Sequence, residues 1–168
     1  MTTISSNYTK SGNRTHPKEA AEQRLAWSHL ATINVGTPEQ DRISTLQDFA
    51  YMVPNGTQLA GTGQRRAIQM ANLKVQGLRP GVSDLVIAYP VNGYHGAYIE
   101  MKRVREAYMG PKAVLACVRP EQLDWLMRMC SVGYWVGVAY GAEEFKVLIK
   151  QYLRGEVNKT LDAFRDRD

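Results

Sequence analysis

Cysteine is scarce in this chain, with two residues, Cys117 and Cys130, among 168. Their spacing fits no metal-ligand pattern. Both sit among apolar neighbours and read as small reduced hydrophobes of a reducing cytoplasm. Long apolar runs are absent as well. None approaches the roughly 20 residues that a bilayer-spanning helix needs. The opening stretch MTTISSNYTKSGNRTH is polar and has no apolar middle of the signal-peptide kind. A helical membrane span is thereby excluded, and a cytoplasmic protein is expected. No internal repeat is visible. No Ser/His/Asp arrangement is suggested by spacing. GTGQRR (61–66) lacks the lysine and the strand context of a phosphate-cradling glycine loop.

Apolar residues are plentiful, at 44% of the total, which is enough for one globular domain with a real core. The chain is short for two domains. Its net charge of +5 is unevenly placed. Between Gly61 and Lys112 stand eight basic side chains (Arg65, Arg66, Lys74, Arg79, Lys102, Arg103, Arg105 and Lys112) against three acids (Asp84, Glu100 and Glu106). This segment therefore carries the whole excess. A positive field concentrated in this way suits a phosphate-rich partner such as nucleic acid. A solvated basic surface is the plainer alternative.

Periodicity and turn chemistry predict an α/β domain in the order αβαββαβα around a small mixed sheet. Residues 1–15 read as a disordered tail, residues 16–155 as one domain and residues 156–168 as a frayed tail. A helix is predicted over 17–31, with proline in its first turn. Residues 32–48 read as a loop with room for a short helix. FAYMVPNG (49–56) reads as a short strand ending at Pro54-Asn55-Gly56. A second helix is predicted over 64–76, with Ile68, Ala71 and Val75 as its apolar stripe and Gly77 as its stop. DLVIAY (84–89) and AYIEMKR (97–103) read as two strands of an antiparallel hairpin. A helix over 120–133 is expected to bury Leu123, Leu126, Met127 and Cys130. YWVGVAY (134–140) reads as a strand. A last helix over 143–154 has Phe145, Leu148, Ile149, Tyr152 and Leu153 on one face.

The chemistry gathers on the hairpin. Glu100 and Lys102 are two apart on a strand, so their side chains leave the same face. If Asp84 opens the neighbouring strand, two carboxylates and an ammonium converge. Carboxylate oxygens are the ligands Mg²⁺ prefers. A metal there lowers the pKa of a bound water and neutralises a phosphodiester, while a lysine stabilises the extra negative charge of the transition state. Taken alone, Glu-x-Lys in a strand describes a surface ion pair equally well.

Wider motifs change that weighing. The chain carries Glu19 and Gln23, then Pro54-Asn55-Gly56, then LKVQGLRPGVSDL (73–85), GYHGAYIEMK (93–102), and Pro120-Glu121-Gln122 followed by Trp125. In this order the elements resemble the PD-(D/E)xK nuclease superfamily, and more narrowly the stand-alone VRR-NUC domain of phage and prophage proteins. The resemblance runs from His16 to Leu153. It implies a restriction-endonuclease-like fold and a Mg²⁺-dependent endodeoxyribonuclease, with Mn²⁺ as a substitute ion. It implies Asp84, Glu100 and the backbone carbonyl of Met101 as metal ligands and Lys102 as the catalytic lysine. Gln122 would face the site. Glu19 would reach the metal directly or through water, with Glu22 as the alternative acid. Stand-alone members resemble Holliday-junction resolvases, so branched DNA and a homodimer are the implied partners. A flap or duplex endonuclease and a non-catalytic DNA-binding protein are the rival readings. Arg65, Arg66, Lys74 and Arg79 are the candidate phosphate contacts, with His95 and Asn55 as further DNA-binding candidates. The chain departs from the family pattern at Ser83, where proline is usual, and at Arg119, where serine is. Residues 104–118 form a longer stretch than the family has, and could be a lid, a DNA-contacting arm or a dimer element.

Overall fold

The computed structural model describes residues 16–36, 44–53, 63–157 and 159–164. The chain opens with helix α1 (Glu19–Leu30), then strands β1 (Asn34–Val35) and β2 (Ser44–Thr45). A 3-10 turn (Leu46–Phe49), strand β3 (Ala50–Met52) and helix α2 (Gly63–Val75) follow. Strands β4 (Leu85–Ile87) and β5 (Ala97–Lys102) come next, then a 3-10 turn (Arg105–Ala107). Helices α3 (Pro111–Ala116) and α4 (Pro120–Ser131), strand β6 (Trp135–Tyr140), helix α5 (Gly141–Leu153) and a last 3-10 turn (Thr160–Phe164) complete the described chain.

Four strands form one mixed sheet in the order β3-β4-β5-β6. The first two pairings are antiparallel and the β5–β6 pairing is parallel. A parallel neighbour requires a crossover, and residues 104–118 begin it. Their Val114 and Val118 pack beneath the sheet, and α4 completes the return. The alternation along β5 sends its two faces into two cores. Ala97, Ile99 and Met101 join Ala26 and Leu30 of α1 and Phe145, Ile149 and Tyr152 of α5. On the other face Tyr98 meets Val136, Val138 and Leu126 of α4. Helices thus cover both faces of a small mixed sheet.

The structure departs from the sequence expectations at four places. Residues 34–35 and 44–45, expected within a loop, pair as a two-stranded antiparallel ribbon, with Leu46 fully buried beneath it. On α4, Met127 is 57% exposed and Cys130 is exposed. The helix is rotated so that Gln122 and Leu126, four residues apart, share the buried face. The segment expected to fray turns back at Thr160–Phe164 and buries Phe164 in the core beneath α4. Finally, α2 buries no residue, and the expected stripe lies in solvent, with Ile68 57% and Val75 89% exposed. Amphipathic spacing states what a helix could bury, and here no described element lies over that face. Replacing Ile68 and Val75 together by serine should therefore shift stability by less than about 1 kcal/mol. A urea melt checks this, and a loss of several kcal/mol would mean that the face is covered in solution.

Candidate active site

Register assembles the site. Leu85 pairs with Ile99 in the antiparallel β4–β5 ladder, so the residue before Leu85 faces the residue after Ile99. Asp84 and Glu100 are thereby brought together at one end of the sheet. Asp84 is 3% exposed, and its Oδ2 accepts a 2.8 Å hydrogen bond from the Met101 amide. That bond aims the carboxylate across the strand. Glu100 is fully buried. Its Oε1 accepts from the Lys102 ammonium at 2.7 Å and from the Gln122 side-chain amide. Lys102 also donates to Gln122 Oε1 at 3.3 Å, which in turn accepts the Arg119 backbone N–H at 3.0 Å. Gln122 therefore does two things. It ties the start of α4 back to the residue before the helix, half of a capping box, and it fixes the Glu100–Lys102 pair.

The second oxygen of Glu100 is the informative one. Oε2 is buried and meets no hydrogen-bond donor. Asp84 acts on the Glu100 carboxyl both by its charge and by a side-chain hydrogen bond, which two carboxylates can form only by sharing a proton. Only a shared proton or a bound cation can sit favourably between two such oxygens. Burial, and after it the charge of Asp84, pushes the Glu100 carboxyl up to about 8, against the opposing pull of Lys102. A buried acid pair with an orphaned oxygen fits a divalent cation, which commonly takes one or two protein carboxylates. Among the described residues no three His, Cys, Asp or Glu side chains stand together at ligand distance. Asp84 and Glu100 are the two carboxylates that the β4–β5 register brings together.

Glu19, in the first turn of α1, shares a pocket with Asp84. It lines, with Lys18, Gln23, Met52, Val53 and Asp84, an open pocket of roughly 460 Å³. Burial raises its carboxyl above the usual range; Lys102, Arg119 and Arg103 oppose that shift, and Asp84 adds to it. Glu22 points elsewhere: it is 5% exposed, and its Oε2 accepts the Ala142 N–H of α5 at 2.7 Å. Of the two acids left open by the sequence, Glu19 is the one directed at the pocket.

The other candidates are not gathered here. His95 stands just before β5, at the end of that strand opposite Glu100. Its amide donates to Gly133 O at 3.1 Å, and its ring lies edge-on to Tyr134. Arg65, Arg66 and Lys74 are exposed on α2, and Arg79 is exposed beside Trp125 and Arg128 on the outer side of α4. Asn55 and its turn lie outside the described residues. Ser83, in place of the usual proline, is fully buried, and its hydroxyl has no partner. Sequence reasoning missed Arg103. Its guanidinium donates to the Pro17 and His16 carbonyls, each at 3.2 Å, and ties the end of β5 to the entry of α1. Its place directly after the strand lysine was the available signal.

The family model of the VRR-NUC domain matches residues 18–143. A solved structure described as a VRR_NUC domain protein superposes with a TM-score of 0.60 at 21% identity, covering 86% of this chain and 95% of that one. At that identity the likeness is one of fold. None of the curated proteins compared with the chain matches it.

Proposed function

Since the chain belongs to the VRR-NUC domain family, and so is a nuclease of the restriction-endonuclease-like superfamily acting on DNA, we propose that it is a divalent-metal-dependent, structure-specific endodeoxyribonuclease that cuts four-way junctions as a homodimer. The observation that carries the metal is the orphaned Oε2 of Glu100, whose carboxyl interacts with that of Asp84. Mg²⁺ is the expected ion, with Mn²⁺ as a substitute. Asp84 and Glu100 would hold it with the Met101 carbonyl, and Glu19 would act through water. The ion would supply charge neutralisation of the phosphodiester and a lowered pKa for the attacking water.

The chain's own groups do the rest. The Met101 amide orients Asp84, and Gln122 holds Lys102 against Glu100. Lys102 is 6% exposed, and its ammonium is therefore in a poorly screened setting where a cation best stabilises the negative charge that grows at phosphorus. Water oxygen adds to phosphorus and the bond to the 3′ oxygen breaks. That oxygen leaves with a proton as a 3′-hydroxyl, and a 5′-phosphate remains. A chain of this size holds one such site, and two-fold symmetry of a dimer would match the paired strands of a junction. Arg65, Arg66, Lys74 and Arg79 supply exposed cations for the DNA arms.

The test is cleavage of an end-labelled four-way junction beside matched duplex, splayed-arm and single-stranded DNA, with Mg²⁺, Mn²⁺ or EDTA. Paired symmetric nicks in the junction alone are expected. They should vanish in EDTA and fall by at least about 100-fold in Asp84→Ala and Lys102→Ala. Cutting of flaps or duplex instead would keep the nuclease and discard the resolvase. Tight binding with no metal-dependent cutting would leave a DNA-binding protein.

A further inference from the structure

Glu22 is a buried carboxylate that the reaction does not use. It sits three residues after Glu19 in α1, and its Oε2 bonds the Ala142 N–H at 2.7 Å, at the second residue of α5. The contact has more than one support. A carboxylate at a helix N-terminus is favoured by the unpaired amides and the helix dipole. Gly141, the first residue of α5, has φ +85°, and a Cβ there would stand 2.7 Å from Val104 Cγ1 and 3.3 Å from Glu22 Oε2. The space at this joint is therefore shaped around the Glu22 carboxylate. The entry of α1 is tied down separately, by the Arg103 guanidinium on the Pro17 and His16 carbonyls. Between these two ties lies the turn that carries Glu19 to the pocket shared with Asp84.

We infer that Glu22 is a positioning residue: by holding the N-terminus of α5 it sets the rotation and depth of the first turn of α1, and so directs Glu19 at the Asp84–Glu100 pair. This rests on the nuclease reading for its chemical meaning, but its geometry is independent of it. The role needs a hydrogen-bond acceptor at this point and no negative charge at the metal. Glutamine can supply the acceptor; alanine cannot.

Four proteins decide the matter: Glu22→Ala, Glu22→Gln, Glu19→Gln and the double variant Glu19→Gln/Glu22→Ala. Each is measured for Mn²⁺ affinity without DNA, by water proton relaxation, and for kcat and KM of junction cleavage. Glu22→Ala should weaken Mn²⁺ binding and lower kcat by about tenfold or more, with KM for DNA unchanged. Glu22→Gln should stay within about twofold of the parent. In the Glu19→Gln background Glu22→Ala should add less than about twofold, because residues acting through one another are not additive. Three results would overturn the inference: equal loss in the Ala and Gln variants, which would make Glu22 a ligand itself; multiplying losses in the double variant; or a lower melting temperature with Mn²⁺ affinity and kcat untouched. If the parent protein cuts no DNA, the nuclease reading falls, and the Mn²⁺ series alone still tests the clamp by the same pattern of loss, rescue and non-additivity.

Discussion

Glu100→Gln should abolish cleavage and make the metal-free protein harder to melt at pH 8. The loss of activity is the simpler half. It removes one carboxylate of the buried pair and should reduce turnover by roughly 100- to 1000-fold or more. The gain in stability follows from proton linkage. The Glu100 carboxyl, with an ordinary value of 4.5, is raised to about 8 by burial first and by Asp84 second. The folded state therefore keeps a proton that the unfolded chain gives up. The contribution of Glu100 to folding stability is full below about pH 4.5 and declines as pH rises from there through about 8. Glutamine keeps an oxygen for Lys102 and Gln122 and offers an N–H where Oε2 met no donor. It has no proton to lose. The difference at pH 8 should reach a few kcal/mol, or a melting temperature higher by roughly 5–10 °C. Near pH 5 the gap should almost close. Mg²⁺ or Mn²⁺ should raise the melting temperature of the parent at pH 8 and leave Glu100→Gln unmoved. Calorimetry at the two pH values, in EDTA and with the ion, reads all of this. A variant that melts lower than its parent at both pH values would mean that Glu100 is satisfied by a partner and that the orphaned oxygen is no cation site.

Gly81→Ala should be the most damaging glycine-to-alanine change among the described residues. Gly81 has φ +82°, and a Cβ there would stand 2.3 Å from the Glu121 carbonyl oxygen and 2.5 Å from its carbon. Both atoms are backbone in the first turn of α4, so neither can swing away. A left-handed conformation costs about 1–3 kcal/mol for most side chains, and overpacking costs another 1–3 kcal/mol or so. Together they should lower the melting temperature by roughly 10 °C. The strain falls on the active site, because Asp84 lies three residues after Gly81 and Gln122 directly follows Glu121. Whatever folds should bind Mn²⁺ poorly. Gly77→Ala is the matched control, with φ +102° and nothing within 4 Å of the added atom. It should show the backbone penalty alone. Equal destabilisation by the two substitutions would mean that the loop before Asp84 does not bear on α4.

Much of this was legible in the residues. Lys102 follows Glu100 by two on a strand, and covalent geometry alone puts both on one face. The helix and strand positions follow from periodicity, proline and glycine, which act over a few residues. The motif order from Glu19 to Trp125 carries the family. Other features depended on elements far apart in the chain. Asp84 meets Glu100 because the β4–β5 register is Leu85 with Ile99, and a slip of one residue would send it to the other face. Glu19 and Glu22 are alike in the sequence; only the docking of α5 occupies one and leaves the other for the pocket. Gln122 turns inward, and Met127 and Cys130 outward, because the Glu100–Lys102 pair lies on one side of α4 and solvent on the other. The stripe of α2 reads as core and is not, since no described element covers it. A sequence states which side chains could be buried or paired. Which of them are depends on long-range neighbours, and those come from strand register and helix docking.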